Sequence, residues 1–230
     1  LHETAGIYLS EGKAPLVYAR LTKRLRALGL ESFREYCALI LSDAGVDERQ
    51  RMIAALTTNV TKFFREPHHF EHLRRQIIEP NAAQFRKGKR LRIWSAACSN
   101  GQEPYSIAMT ILSVIPEAAS LDIRILATDI DPNMIEAGKI GEYPEEAISA
   151  VPSNLAERWF SVAPGRSRLW RVDEKLAELV SFRELNLVGP WPMKGKFDAI
   201  FCRNVVIYFE EKTQQDLWQR FLPALTPDGA

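Results

Sequence analysis

The sequence predicts an α/β fold in which a mostly parallel sheet carries a small antiparallel insertion, preceded by an all-helical amino-terminal unit. Three observations carry this expectation. Residues 14–85 place apolar side chains at helical spacing, with no convincing strand before residue 90. Leu91–Ala96, Ile123–Thr128 and Phe197–Cys202 are short apolar runs, each followed by polar residues and a helical pattern, as buried parallel strands alternating with helices are. The charge is also divided: residues 1–90 hold 16 basic and 10 acidic side chains, residues 91–230 hold 14 and 19, so a net charge of +1 hides a basic unit joined to an acidic one.

The elements follow in order. Val17, Leu21, Leu25 and Leu28 fall at i, i+4, i+8 and i+11. Phe33, Tyr36, Cys37, Ile40 and Leu41 fall at i, i+3, i+4, i+7 and i+8, so each set makes one apolar stripe. Asp47 with Gln50 three residues on has the form of a capping box ahead of Met52, Ile53 and Leu56. Pro67 suits the first turn of a helix carrying Phe70, Leu73, Ile77 and Ile78. Farther on, Arg168–Val172 and Leu179–Phe182 read as short hairpin strands after a Pro164-Gly165 turn, an antiparallel insertion at about residues 160–185. The expected organisation is a helical unit over 1–70, a linker helix over 71–90 and an α/β unit over 91–230.

Composition narrows the function classes. At 230 residues, 46% hydrophobic and 26% charged, the chain has room for one or two cored domains, and its charge balance excludes a polybasic arm or an acidic tail as the dominant feature. No apolar run reaches the roughly 18 residues of a membrane span, and no signal-peptide pattern is present. Cys37, Cys98 and Cys202 are odd in number and share no short spacing, which argues against a disulfide framework or a zinc site and for a reducing, cytoplasmic setting. The sequence opens at Leu1 and closes on Gly229-Ala230, and is expected to be an internal piece of something longer.

Four stretches can carry chemistry. Leu91–Ser106 is a strand ending in small residues, then one glycine, Gly101, and a helix opening at Pro104. The three-glycine pyrophosphate fingerprint is absent, and Glu103 puts a negative charge where a phosphate would sit on a helix amino terminus. A cationic cofactor without phosphates, such as S-adenosylmethionine, suits this loop; a plain strand–turn–helix with a surface Glu is the alternative. The next strand ends in Ala127-Thr128-Asp129-Ile130-Asp131-Pro132, where Asp129 is expected to accept ribose hydroxyls and Asp131 to cap the following helix. Phe197–Phe209 runs a buried strand into Arg203 and Asn204 at its tip, with Tyr208 five residues after Arg203. Leu56–Phe70 surrounds Phe63 and Phe64 with the donors Asn59, Thr61 and Arg65. The nearby His68, His69 and His72 lack the His-Glu-x-x-His order, and neighbours at i, i+1 do not share a helix face, so no metal site is expected. Lys13, Arg20, Lys23, Arg24 and Arg26 follow one another without an intervening acid, either as a solvated face or as a dock for an acidic partner.

Taken together, these stretches resemble the chemotaxis-receptor protein-glutamate O-methyltransferases, the CheR family. The resemblance runs from Thr4-Ala-Gly-Ile-Tyr-Leu-Ser through Thr58-Asn59-x-Thr61-x-Phe63-Phe64-Arg65-Glu66 and Ser99-x-Gly101-x-Glu103-Pro104-Tyr105-Ser106. It continues through Ala127–Asp131 and Asn186-Leu187 to Phe197-Asp198-x-Ile200-Phe201-Cys202-Arg203-Asn204-Val205. It implies a class I S-adenosylmethionine-dependent methyltransferase (Rossmann-like) sheet with its antiparallel subdomain behind the helical domain. By matching motif, Asn59, Thr61 and Arg65 would close over S-adenosylmethionine from the linker side. Glu103 would meet its methionine end, Asp129 its ribose, Asn186 and Leu187 its adenine, while Arg203 and Asn204 would lie beside it. Arg65 and Tyr208 match the pair nearest the transferred methyl. Arg20, Lys23, Arg24 and Arg26 match the proposed contact with methyl-accepting chemotaxis receptors. S-adenosylhomocysteine would be the product, the enzyme a cytoplasmic monomer with no nucleic-acid partner and no direct membrane insertion. Gln102 departs from the family's frequent Glu, and the family's sheet continues past the point where this sequence stops. Rival expectations are transfer to RNA or a small molecule, and a cofactor-binding regulatory module without catalysis.

Overall fold

The computed structural model describes residues 5, 6, 12 and 14–230. Of the first motif only Ala5 and Gly6 are described, and Lys13 lies outside the described residues. The chain begins with helices α1 (Ala14–Leu28), α2 (Phe33–Leu41) and α3 (Val46–Leu56). Leu21, Leu25, Tyr36 and Leu56 are buried together, with Val17, Leu28 and Phe33 packed around them. Two expectations fail here. Cys37 and Leu41 face outward, Leu41 being 84% exposed, because α2 buries only the narrow stripe through Tyr36. Asp47 caps nothing: α3 starts one residue earlier, behind Gly45, where a Cβ would fall 2.0 Å from the Leu39 carbonyl oxygen.

A longer helical run follows. α4 (His68–His72) passes through a π-helical stretch, Leu73–Ile78, into α5 (Glu79–Arg86). Its buried face (Phe70, Leu73, Ile77, Ile78, Phe85) belongs to the core of the α/β unit, as does Phe63. The two cores therefore divide near residue 57, ahead of the expected boundary at 70.

The main sheet is parallel, in the order β6-β2-β1-β7: β1 (Leu91–Ala96), β2 (Ile123–Asp129), β6 (Val180–Glu184) and β7 (Ala199–Cys202). The period of two along β1 divides its side chains between faces. Leu91 and Ile93 enter a core beneath α6 (Gln102–Val114), while Trp94 and Ala96 enter a second core beneath α11 (Glu211–Ala224). Burial on both faces is why β1, β2 and β7 read as mostly apolar runs. After β2, Asp131 accepts the Asn133 N–H at 2.9 Å and caps α7 (Pro132–Ile140), as expected.

The insertion is a second sheet, β3-β5-β4, made of β3 (Glu142–Pro144), β4 (Phe160–Ala163) and β5 (Arg166–Val172). Helices α8 (Glu145–Ile148) and α9 (Ser153–Trp159) lie between β3 and β4, and α10 (Glu174–Leu179) leads back to β6. The Pro164-Gly165 turn joins β4 to β5, so the hairpin partner of Arg168–Val172 is Phe160–Ala163. The run at Leu179–Phe182 instead enters the main sheet beside β2. The insertion therefore closes before residue 180. Alternation identifies a strand but not the neighbour it pairs with.

Candidate functional site

Every strand of the main sheet delivers its carboxyl end to one cleft, where open α/β sheets bind ligands. All ten residues expected to hold the cofactor or lie nearest the methyl line it: Asn59, Thr61, Arg65, Glu103, Asp129, Asn186, Leu187, Arg203, Asn204 and Tyr208. Ala5, Leu16, Ser99 and Phe70 line it too. Among the described residues the non-glycine residues with positive φ are Phe64, Glu66, Ala97, Ser99 and Asn204, all on the linker or at the tips of β1 and β7. Left-handed backbone disfavours side chains with a Cβ, so the surroundings hold these segments in shape, and such strain gathers at ligand sites.

Asp129 ends β2 with only 6% of its surface exposed. Its Oδ2 accepts the Ser99 N–H at 2.8 Å and its Oδ1 the Asp131 N–H at 3.0 Å. Burial pushes its pKa up, against the pull of those backbone donors. Glu103 is raised for the same first reason, burial, while the Ser95 hydroxyl (2.8 Å) and the Arg203 guanidinium (3.2 Å) act to lower it. Arg203 also reaches Glu66 at 3.0 Å, donates to the Arg65 carbonyl and lies over the Phe70 ring. Hydrogen bonds from Arg203 and Asn204 hold Glu66 below the usual carboxylate range. One guanidinium thus ties the linker to the first turn of α6.

The linker is fastened elsewhere as well. Asn59 donates to Asp131 at 2.9 Å and accepts at its carbonyl from the Ser99 hydroxyl at 3.0 Å. Phe63 sits edge-on to Tyr143 and Phe160, at 5.0 and 5.4 Å between centroids. Arg65 donates to the Val60 carbonyl at 3.0 Å from its place in the cleft wall. Gly101 is required by space and dihedral together: φ is +93°, and a Cβ there would meet Phe182 and Tyr143 at 3.0 Å.

The basic helix divides differently from expectation. Arg20 donates to the carbonyls of Leu56 (2.9 Å) and Thr57 (2.8 Å), satisfying the end of α3. Arg24 grips Glu48 through two hydrogen bonds, at 2.9 and 2.7 Å, and the Tyr36 hydroxyl joins at 2.9 Å. Lys23 and Arg26 are exposed. Half of the expected partner surface is therefore spent inside the helical unit. The histidines also come closer than the spacing argument allows. Glu66, His68 and His69 gather ligand atoms within 4.8 Å of one another, because Glu66, in left-handed backbone, turns the chain into Pro67 at the cap of α4. The Glu66 oxygen facing His69 is already paired with Arg203, whose charge opposes a cation there. Sequence reasoning missed Glu66 and Ser95 as partners of the site. The Arg65-Glu66 pair next to a strand-tip Arg was the available signal for the first; nothing in the spacing marks Ser95.

Residues 59–230 match the family model for the CheR methyltransferase SAM binding domain, and residues 1–57 that for the CheR methyltransferase all-alpha domain. The chain belongs to the CheR methyltransferase family. The probable chemotaxis protein methyltransferase of Rhizobium etli is 52% identical over 230 residues, covering 100% of this chain and 85% of that protein. The chemotaxis protein methyltransferase 2 of Pseudomonas aeruginosa is 43% identical over 234 residues, covering 100% and 80%. The chemotaxis protein methyltransferase of Escherichia coli is 42% identical over 231 residues, covering 100% and 78%. As a CheR methyltransferase the chain uses S-adenosylmethionine in chemotaxis. Its cleft suits that cofactor: the buried Asp129 and the half-buried Glu103, no phosphate-binding glycine series, and small residues at the β1 tip. No described helix is long and apolar enough to cross a membrane.

Proposed function

We propose that the chain methylates glutamate side chains of methyl-accepting chemotaxis receptors, forming methyl esters and leaving S-adenosylhomocysteine, in the cytoplasm and as a monomer. The observation that carries this reading is that Arg65 and Tyr208 both stand in the wall of a cleft whose other charged lining residues include Glu103 and the buried Asp129. A glutamate, with a reference pKa near 4.3, is already anionic at neutral pH and needs no base to become a nucleophile. S-adenosylmethionine supplies, when bound, an electrophilic sulfonium methyl. The protein's part is then to position an acceptor carboxylate and strip its water.

Arg65 holds one oxygen of the acceptor carboxylate by a charge-assisted hydrogen bond and leaves the other free to attack. Tyr208 orients the acceptor beside it. Glu103 and Arg203 hold the charged amino-acid end of the cofactor, Asp129 its ribose hydroxyls, and Asn186 with Leu187 its adenine. Thr61 and Asn204 complete the wall, while Asn59 keeps the linker closed through Asp131. Lys23 and Arg26 remain as the exposed basic contacts for an acidic receptor surface.

The test is transfer of radiolabelled methyl to cytoplasmic receptor fragments, followed by alkali. Base-labile label lost when the acceptor glutamates are replaced by alanine is the expected result. Alkali-stable label, or label on RNA alone, would overturn the proposal.

A further inference from the structure

The segment after β6 leaves the sheet as Leu185-Asn186-Leu187-Val188-Gly189 and forms one wall of the cleft with its first three residues. Outside secondary structure, its carbonyls need partners. One side chain supplies three of them, while the Asn186 carbonyl accepts the Gly189 N–H at 3.1 Å. Arg220, on α11, donates from Nη1 to the Leu187 carbonyl at 2.7 Å and to the Val188 carbonyl at 3.2 Å, and from Nη2 to the Gly189 carbonyl. The Leu187 carbonyl also accepts from the Trp191 indole at 3.0 Å, and the Arg220 guanidinium lies 4.1 Å over that indole ring. Trp191 in turn stands edge-on against Trp94 of β1, 4.8 Å between centroids. Leu187 thus lines the cleft while its carbonyl turns the other way, into this fork.

We propose that Arg220 is the positioning residue for the adenosine side of the cleft: it sets the path of residues 186–189 from behind, without touching the cofactor. The inference rests on the reading of Asn186 and Leu187 as adenine neighbours. Arginine suits the role because its planar fork presents donors to several carbonyls at once, which a lysine ammonium does not do at fixed angles. The segment is also closely approached by the amino-terminal residues. Gly6, at φ +67°, lies so near Val188 that a Cβ there would come within 2.7 Å of its methyl group.

The experiment compares the full chain with Arg220→Gln, Arg220→Lys and Asn186→Ala, measuring calorimetric affinity for S-adenosylhomocysteine and for adenosine, with melting temperature alongside. Arg220→Gln should weaken both ligands by the same factor, about tenfold, since charged hydrogen bonds fix the wall that adenosine meets. Turnover at saturating S-adenosylmethionine, read by methyl transfer to a receptor fragment, should stay within about twofold. Arg220→Lys keeps the charge and stem, so it provides folded protein if the Gln variant does not, and should show the same loss at about threefold. A lower melting temperature with unchanged affinity for both ligands would reduce Arg220 to a structural residue and overturn the proposal. If Asn186→Ala leaves adenosine binding intact while the unaltered chain binds S-adenosylhomocysteine, the adenine reading itself fails. If Asn186→Ala weakens adenosine and neither Arg220 variant does, only the positioning role fails.

Discussion

On the proposed reading, Asp129 and Arg65 do two kinds of work within one cleft. Asp129 has both oxygens anchored by backbone N–H groups, and its remaining lone pairs are the ones proposed to meet ribose hydroxyls. Asp129→Ala is therefore expected to weaken S-adenosylhomocysteine binding by about tenfold or more, as loss of a charged acceptor does, with little change in turnover at saturation. Arg65→Ala should do the reverse, lowering turnover by about a hundredfold while affinity shifts by less than about threefold. Calorimetry with single-turnover kinetics reads both, and equal affinity losses with unchanged turnover would reject the assignment. At this scale the sequence was legible where chemistry is local. Asp131-Pro132 announces a cap, and the cap is there. It was illegible where a partner lies far along the chain. Arg24 and Glu48 are 24 residues apart on different helices, and nothing in a run of basic residues says which of them are already spoken for.

The helical elements depend on that Arg24–Glu48–Tyr36 group. Burial alone would raise the Glu48 carboxyl, but hydrogen bonds from Arg24 and Tyr36 outweigh it and hold the pKa below its ordinary value. A lowered carboxylate pKa contributes stability that is complete above the unfolded value near 4.3 and is lost as pH falls through the lower folded value. Glu48→Gln should cost about 1–3 kcal/mol at neutral pH, and the difference from the unaltered chain should shrink below about pH 4. Urea unfolding followed by circular dichroism at several pH values checks this; a pH-independent difference would contradict it. In the linker, Phe63→Ala should cost about 3–5 kcal/mol, because it empties a ring-lined site between Tyr143 and Phe160. Elements read well from apolar runs, as β1 and β2 attest. β4 did not, because four residues that follow directly on a helix leave no room for a period to establish itself.

Across the whole molecule the linker is the joint. Arg20 grips its start from α1, Asn59 and Ser99 fasten it to the tips of β1 and β2, and Arg203 draws its end toward β7. S-adenosylhomocysteine at a hundred times its dissociation constant should add about 2.7 kcal/mol of stability. The accompanying protection from hydrogen exchange should concentrate in residues 58–66, 97–101 and 186–189, with the α1–α3 core little changed. Protection spread evenly over the helical unit would mean that this unit, and not the linker, closes on the ligand. The two-unit plan was visible in the charge division and the change of period near residue 90. The place where the cores part, near residue 57, was not, because Phe63 and Phe70 look alike whichever core they join.

The strand order has a consequence for how such a chain comes into being. The helical core of Leu21, Leu25, Tyr36 and Leu56 is complete once the chain has emerged as far as residue 57. β1, by contrast, pairs with β2 about 30 residues later and with β7 more than 100 residues later. During synthesis one of its edges stays bare until β7 appears, more than 100 residues on, and non-local pairings of this kind close slowly. A nascent chain therefore passes through a state with a finished helical head and a half-built sheet. That interval, more than the finished fold, is where chaperone dependence and aggregation of this protein will be decided.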